Sequence, residues 1–99
     1  MKKVILVYDI SSDLIECSDR IADDFKNIIG GLYDWIESDP EGAEYKVDLG
    51  GGEIGYIEST ESILKYLNTK CLKAGEPKAR LYKANVDKRQ VYADNFAEF

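Results

Sequence analysis

The residues with the most scope for chemistry are carboxylates near the start of the chain. Lys3 to Asp9 reads Lys-Val-Ile-Leu-Val-Tyr-Asp, an apolar run that ends on Asp9, and Asp13 and Glu16 follow. An acid at the carboxyl end of a buried strand could hold Mg²⁺, a hard cation that takes oxygen ligands. Such an ion usually recruits more ligands than these, or substrate phosphates. Asp13 and Glu16 also stand in capping-box spacing, which explains both as residues of a helix N-terminus without any metal. Asp9 is thus the metal-ligand candidate. No resident cofactor is otherwise expected.

Other chemistries are narrower. The 99 residues include no His, which removes Ser-His and Cys-His nucleophiles and every His metal site. Two Cys cannot make a four-ligand zinc site, and Cys17 and Cys71 are expected as reduced, buried thiols on helix faces. Gly50-Gly51-Gly52-Glu53-Ile54-Gly55 matches GxGxxG in form, but a strand-like segment follows it, and Asp48, Glu53 and Glu58 would repel phosphate. It reads as a hairpin turn.

Charge is divided along the chain. Residues 9–62 carry a net −12, residues 63–89 a net +6, and the whole chain −6. The basic third interleaves Arg80, Lys83, Lys88 and Arg89 with Tyr82 and Tyr92, a pattern that could neutralise phosphate and stack on bases. The acidity of the whole works against nucleic acid. The acidic stretch could instead meet a basic protein, as electrostatic complement or phosphate mimic. Its contact candidates are Glu16, Asp19, Asp23, Asp24 and Asp34.

These residues need elements to position them. Residues 3–9 predict a buried central strand. Leu14, Ile21, Ile28 and Trp35 recur every seven residues, Ile15, Ala22, Ile29 and Ile36 recur beside them, and Phe25 and Leu32 fill the same stripe. That phase survives Gly30-Gly31, so it predicts one long helix over 12–37, bent or briefly interrupted at the glycines. Two shorter helices divided there are the other reading. Tyr45, Val47 and Leu49 alternate with charged residues, the three glycines turn the chain, and Ile54 to Ile57 return, which predicts a β-hairpin. Ser59 or Thr60 caps a helix over 61–73, strands are expected at 79–86 and 89–93, and 94–99 is a tail. The resulting order, β-α-β-β-α-β in a single domain over 1–99, is the ferredoxin-like α+β arrangement. Its overhanging first helix would leave Trp35 and Ile36 near an exposed end, suited to a dimer contact.

Val4-Ile5-Leu6-Val7-Tyr8-Asp9-Ile10-Ser11-Ser12-Asp13 resembles the first strand and turn of the small CRISPR-associated endonuclease of the spacer-acquisition complex, with Arg20, Ala22 and Lys26 loosely similar on the next element. The likeness spans residues 4–30. It implies a ferredoxin-like protomer, a dimer, and a metal-linked role for Asp9. The polar-aromatic second strand of that family is not recognisable here, and this chain is acidic where that family is basic.

No apolar run approaches a membrane span, and Val4 to Tyr8 is too short for a signal peptide. The expectation is a cytoplasmic, macromolecule-binding protein of inhibitor, immunity or regulatory type. It would engage a protein partner through an acidic helical face, with no membrane role and with homodimerisation open. The alternatives are a Mg²⁺-dependent phosphodiesterase built on Asp9, or a structural subunit whose tail, Phe96 and Phe99, docks on a neighbour.

Overall fold

The computed structural model describes residues 1–99 as an α+β domain. Strands β1 (Lys2–Val7), β2 (Ser12–Cys17), β5 (Arg80–Lys83) and β6 (Asn95–Glu98) form a mixed sheet in the order β5-β2-β1-β6. Between β2 and β5 the chain makes α1 (Asp19–Asp23), α2 (Phe25–Ile29), α3 (Leu32–Ser38), the hairpin β3 (Lys46–Gly50) and β4 (Glu53–Tyr56), and α4 (Thr60–Tyr66). The observed order therefore differs from β-α-β-β-α-β.

The largest correction concerns residues 12–37. Ser12–Cys17 is a strand, paired antiparallel to β1 from Val7↔Ser12 to Lys2↔Cys17, and helix begins only after Ser18. Leu14 and Ile15 are neighbours and both are buried, at 3% and 0% exposure. A helix stripe can hold adjacent apolar residues, but so can a strand covered on both faces. The pairing of β1 decides between them. Val4 and Leu6 need hydrogen-bonded neighbours for their backbone once buried, and β2 supplies these through a tight turn in which the Tyr8 amide donates to the Ser11 carbonyl. Asp13 and Glu16 are consequently strand residues, and the cap of α1 is Ser18, whose hydroxyl accepts from the Ile21 amide.

The helical remainder is three short pieces. Asp24, at φ −115° and ψ 28°, breaks the first junction. Gly31 makes the second because Tyr66 enters there: its hydroxyl donates to the Ile28 carbonyl at 2.6 Å. A Cβ on Gly31 would lie 2.5 Å from that hydroxyl. The heptad spacing marked the buried face correctly, since Ile21, Ala22, Phe25, Leu32, Trp35 and Ile36 all lie in the core. Trp35 and Ile36, at 3% and 0% exposure, are core residues with no surface for a dimer contact.

The core lies between the sheet and the helices. Val4, Leu6, Ile15 and Cys17 face Phe25, Trp35, Ile63, Tyr66 and Leu67. Trp35 packs against Tyr45 and Tyr66 at ring separations of 6.1 and 5.5 Å. Each such fully buried large side chain contributes about 1.5–3 kcal/mol. Ile5 and Leu14 are buried outside this cluster, on the opposite face, where Val91 and Ala93 line a groove with Ile5 and Val7.

The tail is part of the sheet. Residues 89–93 form no strand; β6 does, pairing in parallel with β1 from Val4↔Asn95 to Val7↔Glu98. Alternation in 89–93 is too short to identify which turn of the chain reaches a free edge. Phe99 stacks on Tyr8 at 5.6 Å and its amide donates to the Val7 carbonyl, so it packs on its own chain. Helix α4 carries a capping box between Ser59 and Ser62 and runs into a π turn over Leu67–Cys71. There Asn68 exchanges two hydrogen bonds with the Ala79 backbone, at 2.9 and 2.7 Å. No helix is long and apolar enough to cross a membrane.

Candidate functional site

The hairpin β3–β4 forms where the alternation of residues 45–57 predicted it, but it stands apart as a two-stranded ribbon instead of joining the main sheet as the ferredoxin-like order required. Gly50, Gly51 and Gly52 turn it at φ 87°, 61° and 83°, a region that side-chain-bearing residues avoid. Gly55 has a different reason: a Cβ there would meet Leu49 at 3.1 Å and Val47 at 3.2 Å, so these two side chains fold across the glycine. An isolated two-stranded ribbon is marginal in water. This one is anchored at its base. The Tyr56 hydroxyl donates to Glu37 Oε2 at 2.6 Å, and Lys46 Nζ donates to the Glu37 carbonyl at 3.1 Å. The Ile57 amide donates to the Tyr45 carbonyl. Tyr33 lies edge-on to Tyr56 at 5.4 Å and donates to Glu58.

Away from that base the hairpin exposes apolar side chains, with Leu49 at 63% and Ile54 at 50%. Tyr33, Tyr56 and Ile57 are also exposed. Tyr56 continues this surface into an open groove of about 520 Å³, lined by Tyr8, Asp9, Ile10, Tyr56, Glu58 and Phe99. A scattered exposed Leu is ordinary; here Leu49 and Ile54 lie on opposite faces of one ribbon whose base adjoins Tyr33 and Tyr56.

The electrostatics single out the same end. Residues 34–61 contain nine acids and one base, Lys46. Glu37 pairs with Lys46 and Glu44 with Lys65. Asp34, Asp39, Glu41, Asp48, Glu53, Glu58 and Glu61 have no ion pair. Hydrogen bonding to Tyr56 holds Glu37 below the usual carboxylate range, and the bond to Glu58 pushes the Tyr33 phenol up to about 12. Glu37 stays charged at neutral pH, and both phenols stay neutral.

The five acids expected to form one helical face are dispersed instead. Glu16 lies on β2 and is bridged by Arg80 at 2.8 Å and Lys3 at 3.7 Å. Asp23 accepts from Lys2 at 2.7 Å, and Asp19 lies 3.7 Å from the Met1 amino group. Asp24, between α1 and α2, accepts from the Asn27 side chain. Asp34 is on α3 and is the one member of the set within the unpaired acidic stretch. Asp13 joins three elements: it accepts from Thr60 at 2.5 Å and from the Asn85 amide at 3.0 Å. Thr60 has one proton and gives it to Asp13, so the Tyr8 hydroxyl, 2.8 Å away, donates to Thr60.

Asp9 is exposed in the β1–β2 turn. No three His, Cys, Asp or Glu side chains converge anywhere as a metal-holding set, so the residues around Asp9 do not fit a divalent cation held by protein ligands alone. The thiols do not fit nucleophilic roles. Cys17 sits in β2 rather than on a helix, where burial pushes its thiol up to about 12, and burial also raises Cys71. In the basic third, Arg80 and Arg89 are engaged by Glu16 and Asp87, and Lys3 covers the Tyr82 ring at 4.6 Å.

No family model, curated protein or solved structure matches the chain. The residues that sequence reasoning missed are Tyr33, Leu49, Ile54 and Tyr56. For Leu49, Ile54 and Tyr56 the signal lay in the hairpin pattern, but alternation shows two faces without showing that neither is covered; Tyr33, on α3, carried no such signal.

Proposed function

We propose that the protein is a binding module that engages a basic protein partner through the acidic, aromatic end formed by α3 and the hairpin, as an inhibitor or regulator would. The observation that carries this reading is the coincidence of seven acids without ion pairs and five exposed apolar or aromatic residues in residues 33–61. Interfaces of this kind draw binding energy from aromatic anchors, and their association rate and partner choice from charge. The presenting element shifts from the first helix to α3 and the hairpin, because the acids of β2 and α1 already have partners.

The metal-dependent phosphodiesterase reading, with its ferredoxin-like dimer and its resemblance over residues 4–30, rests on Asp9 alone. The structural-subunit reading keeps Phe96, which is exposed, but Phe99 packs on Tyr8 and β6 pairs with β1. Binding is the reading that uses the most of what the molecule exposes.

The test is affinity capture with the immobilised chain at low and high salt, followed by identification of the retained protein. The expected result is a basic protein, released by salt and lost from the Asp48→Lys/Glu53→Lys variant. Capture of an acidic protein, or of a partner indifferent to those substitutions, would overturn the proposal.

A further inference from the structure

The groove at the hairpin base has a composition that selects one kind of group. Its walls are Tyr8, Tyr56 and Phe99, its carboxylates are Asp9 and Glu58, and it contains no base. Neither carboxylate has an ion pair. The rings are held in place beforehand. Tyr8 is tied to Thr60 at 2.8 Å and stacked with Phe99 at an interplanar angle of 27°, and Tyr56 is tied to Glu37. Preset walls reduce the ordering cost of binding. Flat aromatic faces beside carboxylates suit a planar cation, which stacks on the rings and donates to the acids. An anion would meet two negative charges and no donor side chain of positive charge. An ammonium would lose more hydration and gain less from a flat wall than a guanidinium.

We propose that this groove takes the guanidinium of one arginine side chain of the basic partner, stacked against Tyr8 and Phe99 and bonded to Asp9 and Glu58. Ile10, at 98% exposure, forms the lip and is covered by the backbone that carries the arginine. Tyr8, Asp9 and Ile10 also border a second groove across the β1–β2 turn, with Lys88 and Arg89 on its far side; Arg89 is held by Asp87 at 3.1 Å and neither base is ion-paired with Asp9. The inference rests on the proposed binding function and names the partner group that its hairpin base recognises.

The test is an NMR titration of the whole chain with acetyl-Gly-Arg-Gly-amide. Parallel titrations use the peptides in which citrulline or lysine replaces arginine. The arginine peptide is expected to shift the Tyr8, Tyr56 and Phe99 ring signals and the Ile10 methyls saturably. Citrulline should shift none of them, lysine should bind more weakly, and Asp9→Asn/Glu58→Gln should weaken the arginine peptide by about tenfold. Both substituted positions are at the surface, and an unchanged spectrum of the core residues in the variant shows that it is folded. Absence of those shifts, equal shifts with citrulline, or tighter binding of lysine would overturn the assignment. Shifts confined to Asp48, Leu49 and Ile54 would also overturn it while leaving the hairpin as a basic-partner surface. The broader binding reading fails separately, in the capture experiment above.

Discussion

Residues 13–24 and residues 34–61 are both acidic, and they use their charge in opposite ways. In the first stretch every acid has a partner. Asp13 fastens α4 and the segment after β5 to β2, Glu16 bridges Arg80 and Lys3, Asp19 and Asp23 face the amino end of β1, and Asp24 accepts from Asn27. Three of those five, Glu16, Asp19 and Asp23, are ion-paired, whereas in the second stretch only Glu37 and Glu44 of nine are. Asp39, Asp48 and Glu58 accept only neutral hydrogen bonds, from the Glu41 and Gly50 amides and from Tyr33. Charge read along a sequence is therefore not charge available to a partner. What decides availability is whether bases from distant positions fold against it, and here Lys2, Lys3 and Arg80 fold against the first stretch.

The contrast predicts that substitutions in the two regions separate stability from binding. The largest effect is expected in the core beneath the hairpin: Trp35→Ala should cost about 3–5 kcal/mol in urea unfolding. Leu49→Ser with Ile54→Ser, at the exposed hairpin, should each stay within about 0.5 kcal/mol. Equal costs would mean that the hairpin face is covered in a way the monomer does not show.

Next in size is the packing of Tyr66 at the helix break. Gly31→Ala places a Cβ 2.5 Å from the Tyr66 hydroxyl and should displace its bond to Ile28, at about 1–3 kcal/mol. A melting temperature equal to wild type would show that α2 and α3 can move apart freely.

A smaller effect, with a pH signature, belongs to Glu76. Arg20, the Lys73 amide and Ser18 all donate to it and hold its carboxyl at about 2 rather than the ordinary 4.5. A depressed folded-state value contributes stability above the unfolded value, and that stability is lost as pH falls through the folded one. Glu76→Gln should therefore lower the melting temperature at pH 7, with the gap to wild type closing between pH 4.5 and about 2. A constant gap across that window would show that the bonds survive protonation.

The smallest effects are those of charge reversal on stability. Asp23→Lys should destabilise slightly by opposing Lys2, whereas Asp48→Lys should be neutral or mildly stabilising at low salt, by relieving repulsion. Thermal unfolding at low and high salt distinguishes the two signs, and an identical sign would dissolve the contrast.

Much of this fold was legible in the sequence. The run Val4 to Tyr8 marked β1, and alternation around Gly50-Gly51-Gly52 marked the hairpin. The heptad spacing marked the core-facing side between 21 and 36, although its members Ile28 and Ile29 are only half-buried. Residues 12–17 were misread because Leu14 and Ile15 satisfy a helix stripe and a strand covered on both faces equally well, and only the long-range pairing with β1 chooses. Strand β6 was hidden for the same reason: its partner lies some 90 residues away. The candidate site was half visible. Of its seven acids without ion pairs only Asp34 was among the expected contacts, and only three-dimensional packing shows Tyr33 and Tyr56 at the surface beside them.

The most direct test is the association rate of the captured partner with two reversal variants, Asp48→Lys/Glu53→Lys and Asp19→Lys/Asp23→Lys. If unpaired charge on the hairpin end steers association, the first pair should slow it by about tenfold or more at low salt and the second by about twofold or less. Equal slowing, or a greater loss from the α1 pair, would contradict the assignment of the binding face to the hairpin.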